Sequence, residues 1–266
     1  MHNASNLPSQ DKLDQWLIQA TLILLGSATV ILFIGQYTDL DLLLTDYFFD
    51  TQQRIFPWDH TWFARNLMHG YVKNVLVWSG FILMGLAILD LVRPFAQLSS
   101  IQRAKLRVIA LSAFLEPILI KTLKEKSSMH CPWDIDRYNG SHPFLRLLDT
   151  IPDGWQAGHC FPAGHASSAM WLTALAVLWL PTNPKRATKA YLGGLSVGLI
   201  LGWVQQMRGQ HFLTHTLWTA WLASALAILL IAIFSRQLAP RPAKTESTPL
   251  TPPSPVTLPH GVNNAA

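Results

Sequence analysis

The chain has 266 residues, half of them hydrophobic and only 13% charged. Soluble domains average roughly 25% charged, so this density excludes an ordinary water-soluble globule, and the apolar content excludes a wholly disordered chain. The net charge of +5 reads as loop topology against anionic head groups, with no nucleic-acid partner expected; two cysteines are too few for a disulfide-stapled miniprotein or a multi-cysteine zinc site.

Six stretches have the apolar length of a bilayer-spanning helix, which needs about 20 residues. They run from Trp16 to Gly35, Asn74 to Val92, Leu106 to Ile120, Ala166 to Leu180, Ala190 to Met207 and Leu213 to Phe234. The expected fold is therefore all-α, an integral-membrane bundle of six transmembrane helices. Lys12, Arg93, Arg103, Lys105, Arg107, Lys185, Arg186, Lys189, Arg236, Arg241 and Lys244 fall on one side of this layout. Basic residues in short loops mark the cytoplasmic face, so both termini are expected in the cytoplasm. Residues 1–15 then form a cytoplasmic N-terminus and 16–236 the membrane domain. The external loop, 37–71, is rich in Asp and aromatics and suits short amphipathic pieces at the interface. Residues 237–266 read as a Pro-rich, disordered tail.

Polar groups gather on the outer side, in a catalytic core expected over 121–221. Lys121 and Lys124 leave the third span, followed by His130-Cys131-Pro132-Trp133-Asp134 and by Asp136-Arg137. Phe161-Pro162-Ala163-Gly164-His165 leads into the fourth span, and Gln205, Arg208, His211 and His215 lie between the fifth span and the sixth. Lysine, arginine and histidine at the mouths of three helices fit the binding of a multiply charged oxyanion with proton transfer by imidazole. Several have plainer readings. Lysines at span ends snorkel to head groups, Glu116 suits a polar contact between helices, and His2, His60, His142 and His260 suit solvated loops. His211 and His215, four residues apart, also have the spacing of metal or haem ligands on one helical face.

The chain resembles the type 2 phosphatidic-acid phosphatase superfamily. Lys124 with Pro132 has the spacing of that family's first motif, Pro162-Ala163-Gly164-His165 matches its Pro-Ser-Gly-His element with Ala for Ser, and His211 with His215 matches the end of its third motif with His for Asp. Cys131 and Gln205 stand where the family carries arginines. The Cys-Pro-Trp-Asp sequence resembles a bacterial membrane subgroup. By this resemblance His211 is the nucleophile that forms a phosphohistidine, His165 the general acid and base, and His215 its orienting partner. Lys124, Arg208, Gly164, Arg137 and His130 are then the candidates for holding phosphate, Ser168 is a further donor, and Asp134 or Asp136 could assist His215. The resemblance implies no cofactor and no metal. It implies a lipid phosphate or diphosphate as substrate, hydrolysed at the outer face of a bacterial inner membrane, with phosphoryl transfer between lipids as the alternative. Cys131 and Cys160 adjoin two motifs on the outer side, where a disulfide persists; two buried thiols are the other reading.

Overall fold

The computed structural model describes residues 9–239, all helices and loops with no β-strand among them. The helices are α1 (Ser9–Tyr37), α2 (Leu40–Asp46), α3 (Lys73–Val92), α4 (Ser100–Lys124), α5 (Gly164–Met170), α6 (Pro184–Met207), α7 (Leu213–Ile233) and the short α8 (Ser235–Leu238). A wide π-helical run, Phe63–Val72, leads directly into α3, and α5 continues as a tighter 3-10 helix over Trp171–Trp179. The external segment thus ends earlier than its composition implied, because Phe63–Val72 joins the helix instead of lying along the interface. Residues beyond 239, including most of the expected tail, lie outside the described region. Leu238 and Ala239, assigned to that tail, are instead buried.

Among the described residues, four helices are long and apolar enough to cross a bilayer: Gln10–Tyr37, Phe63–Val92, Pro184–Met207 and Leu213–Ile233. Large apolar side chains stay exposed along them, including Leu22, Ile23 and Phe33 on α1 and Trp78, Phe81 and Ile82 on α3. A surface this apolar suits hydrocarbon rather than water. α4 differs, carrying Arg103, Lys105, Arg107, Glu116, Lys121 and Lys124 within 25 residues.

One end of the bundle is closed by Leu13, Ala104, Ala187, Leu180, Ile231 and Leu238, so the start of α1 and the end of α7 share a core cluster. The other end is capped by an aromatic cluster of Phe48, Phe56, Tyr138 and Phe212. Helix starts are fixed by local chemistry. Ser99 and Gln102 form a capping box on α4, and Asn183 accepts from the Arg186 amide ahead of Pro184 on α6, each satisfying amides that the helix itself leaves free. On α6, Gly194, Gly198 and Gly202 recur every fourth residue. A β-carbon there would strike Leu172, Met170 and Thr216 respectively, so the stripe permits the close approach typical of membrane helices. This close packing places the end of α6 beside α5 and α7, where the candidate site lies.

Candidate active site

The loop from α4 to α5 is tied down in two ways. Cys131 and Cys160 form a disulfide with Cα atoms 5.3 Å apart. Backbone bonds run alongside it, from Gly158 N to Ser128 O, His159 N to Ser127 O and Cys160 N to Met129 O. The Pro-Ala-Gly-His turn is pinned to α7, since Ala163 N donates to His215 O and Thr219 Oγ1 donates to Ala163 O. α7 is held from outside: Asp41 on α2 accepts from Thr214 N at 2.9 Å and from the Thr214 hydroxyl. A carboxylate at a helix N-terminus satisfies a free amide and complements the dipole.

These constraints bring His165 and His211 together, with ring centroids 6.1 Å apart. His215 lies 5.8 Å from His211. His211 and His215 are buried, while His165, at the mouth of α5, is half-buried. The charge of Lys124 reaches all three rings. Burial, with the charges of His215, Lys124 and His165 behind it, holds the His211 imidazole well below its usual range, so the ring is neutral near pH 7. A β-carbon built on Gly164 would meet open space, which leaves room above the start of α5.

His215, expected to orient His211, makes no hydrogen bond to it. Both its ring nitrogens are buried without a hydrogen-bond partner, so it bonds neither His211 nor a carboxylate, Asp134 and Asp136 included. Its ring packs edge-on against Phe161 and Phe212. What lies against the Nδ1 atom of His211 is the Cys160 sulfur, at 3.4 Å, and the Cys160 carbonyl is close to the same ring.

The expected phosphate ligands divide. Arg208 lies deep in the site: Nε donates to Asp59 Oδ1 at 2.8 Å, Nη2 lies 2.7 Å from the same oxygen, and Nη1 donates to Gln205 Oε1 at 2.9 Å. Arg208 precedes Gly209, whose φ of +69° is a left-handed turn that glycine adopts without strain and whose α-carbon faces the Phe56 ring. Arg137, by contrast, is exposed and paired with Asp46 through two hydrogen bonds of 2.8 and 2.7 Å. That guanidinium holds the Asp46 carboxyl below its usual range. His130 stacks on His142 at 4.1 Å and its Nε2 pairs with the Gln156 carbonyl; His142 is accordingly half-buried rather than solvated. Ser168 donates to the His165 carbonyl and so braces α5. Lys121 is exposed, near Glu125. Glu116 is buried, with Oε1 lacking a partner.

Sequence reasoning missed three residues that precede or open α3. Asp59 binds Arg208, the His69 ring lies 4.2 Å from that of His165, and the charge of Lys73 reaches both of those imidazoles. None falls in a motif, and His69 sits in a run, Phe63-Ala64-Arg65-Asn66-Leu67-Met68-His69, that reads as interfacial. The only signal was the length and acidity of the loop.

As to metals, the two cysteine sulfurs and a His211 ring nitrogen lie within 4.8 Å of one another, but sulfurs joined in a disulfide offer no thiolate ligand. An apolar groove of about 400 Å³ lies between α1, α6 and α7, lined by Ile23, Leu195, Leu217 and Trp221. At 3.6 residues per turn, Leu217 points about 200° away from His215 around α7, so the groove opens on the far side of that helix from the imidazoles.

The described residues thus form an all-helical, membrane-type bundle with long apolar helices, and His165, His211, His215 and Arg208 gather at one end of it. The family model of the PAP2 superfamily matches residues 105–239, half of the chain and every histidine motif, and the protein belongs to that superfamily. No curated protein and no solved structure matches the chain.

Proposed function

We propose that the protein is an integral-membrane lipid phosphatase that cleaves a lipid phosphomonoester or diphosphate through a phosphohistidine. The observation that carries this reading is the pairing of His165 with His211 across 6.1 Å, beside Lys124 and Arg208, in a chain of the PAP2 superfamily. His211 Nε2 attacks phosphorus, the P–O bond to the lipid breaks, and His165 delivers a proton to the departing oxygen. His165 then takes a proton from water as the water attacks the phosphohistidine, releasing inorganic phosphate. Lys124 and Arg208 stabilise the non-bridging oxygens, whose charge is spread over the transferring group.

His211 needs its Nδ1–H held so that Nε2 keeps its lone pair. The family uses a carboxylate for this; here the Cys160 carbonyl and sulfur are the groups beside the ring. A backbone carbonyl fixes an imidazole tautomer well, and the disulfide and the pairing of Cys160 N with Met129 O keep this one in place.

α4 and the helix that starts at Gly164 complete six crossings, which agrees with the start of α1 and the end of α7 sharing one core cluster. The basic loops put that end in the cytoplasm. The site then faces the exterior or periplasm of a bacterial cell, at a boundary where a phosphorylated head group enters while its hydrocarbon stays in the bilayer. The test is release of inorganic phosphate from a panel of lipid phosphates by protein purified in detergent, with EDTA present and a His211→Ala control. Labelled phosphate appearing in a second lipid instead of in solution would point to phosphoryl transfer between lipids.

A further inference from the structure

The third family motif carries an arginine six residues before its histidine, and this chain has Gln205 there. Gln205 is 1% exposed and does not bring charge itself. It sits between two groups that can bind an anion: its Oε1 accepts from Arg208 Nη1, and its side chain neighbours the His69 ring. His69 belongs to the wide π-helical run at the head of α3, a rare geometry that is frequent at functional sites.

His69 and His165 lie with rings 4.2 Å apart, and in each of them Nδ1 is buried without a hydrogen-bond partner. Buried polar atoms are almost always satisfied. Two such atoms on touching rings, with the charges of Lys73 and Arg208 acting on both, therefore mark a place where an anionic ligand supplies the missing acceptors. The Pro-Ala-Gly-His turn has lost the serine hydroxyl that donates to phosphate elsewhere in the family, so a donor is missing on the same side of the site.

We propose that His69 is a substrate-contacting residue: its Nδ1–H and the ring of His165 grip the same phosphoryl group, and Gln205 aligns His69 with Arg208 in place of the arginine absent from the third motif. This rests on the phosphatase reading of the site. The external segment is then part of the active site rather than a cover over it, since Asp59 orients Arg208 from one turn and His69 enters from the next. The ligand is any phosphate or phosphate-like oxyanion; the lipid tail plays no part in the contact.

The test uses full-length protein in detergent, with His69→Ala, His69→Asn and His69→Gln. Two quantities are read: orthovanadate affinity by tryptophan fluorescence, and kcat/KM for phosphate release from a water-soluble aryl phosphate. Asparagine places an amide N–H near the position of Nδ1, whereas glutamine places one near Nε2. The alanine and glutamine variants should lose about tenfold or more in both, the worth of one charge-assisted hydrogen bond, while the asparagine variant should retain most of each. An alanine variant that matches the wild type overturns the assignment, as does an equal loss in the asparagine and glutamine variants, which would mark His69 as packing. Wild-type protein that neither releases phosphate nor binds vanadate overturns the phosphatase reading underneath it, a result distinct from either of these.

Discussion

His165 and His211 come from opposite sides of one small site, His165 from the mouth of α5 and His211 from the turn before α7, with ring centroids 6.1 Å apart. That spacing lets both rings reach one small group lying alongside them. The hydrogen bonds from Ala163 N and Thr219 Oγ1 hold the two elements in register.

The two imidazoles should separate kinetically. His211→Ala is expected to abolish phosphate release and the phosphoenzyme together. His165→Ala should slow a lipid phosphate by about 10²- to 10⁴-fold, the usual worth of a general acid. It should spare the first step with an aryl phosphate, whose leaving group needs no proton. Rapid-quench measurement of phosphoenzyme with both substrates checks this.

Burial of His211 sets the acid limit of activity. Its imidazole is held well below the usual value of 6.5 by desolvation and by nearby positive charge. The nucleophile is the neutral ring, so lowering the folded-state pKa keeps it competent at lower pH. The acid limb of kcat/KM should therefore fall below pH 6.5. The same depression makes the unfolded chain bind more protons, so this group's contribution to stability is present above about pH 6.5 and declines as pH falls towards the folded value. A pH profile with its acid limb at or above 6.5 would show His211 to be solvated.

The disulfide ties both catalytic loops. With its cysteines 29 positions apart, loop-closure entropy gives about 3.5 kcal/mol of stabilisation. Reduction, or Cys131→Ser, should lower the melting temperature. It should also lower kcat more than it raises KM, because it frees the Cys160 carbonyl and sulfur from His211. Activity that survives reduction while stability falls would leave the bond a purely structural one.

Asp41 provides a separate test of the scaffold. It caps the amide of Thr214 from another helix, so Asp41→Ala should destabilise the protein by about 1–2 kcal/mol, the scale of a lost helix cap. Asp41→Asn, which keeps an acceptor, should cost less. Thermal unfolding in detergent checks both.

Arg208 should prove to be the motif's displaced arginine. Arg208→Ala removes a buried cation from Lys124's side of the site and leaves Asp59 unpaired, so KM should rise and kcat/KM should fall by about tenfold or more. Arg137→Ala should leave both unchanged, since its partner is Asp46. The comparison is made on one lipid phosphate under identical detergent conditions.

The helical class and the two principal histidines were legible because their signals are local. Apolar runs of span length identify the helices, and His165 and His211 each follow a glycine turn at a helix mouth. The Cys131–Cys160 contact could be anticipated from position alone. That the His215 ring makes no hydrogen bond to His211 was not legible, because motif spacing records which residue stands in a place, not whether its ring turns toward its neighbour. Arg137 and His130 carry suitable chemistry, but their side chains are taken by Asp46 and by Gln156 and His142, and such pairings form only in three dimensions. His69 and Asp59 were illegible for the same reason: His69 reaches the site through the packing of Phe63–Val72 against α6 and Asp59 through its bond to Arg208, which no short-range pattern encodes.

The most direct measurement is to map the phosphoenzyme. Full-length protein with His165→Ala, mixed with an aryl phosphate labelled in the phosphoryl group and quenched in base, should carry acid-labile phosphate on the peptide that contains His211. Label on any other residue, or steady release of phosphate from His211→Ala protein, would contradict the account.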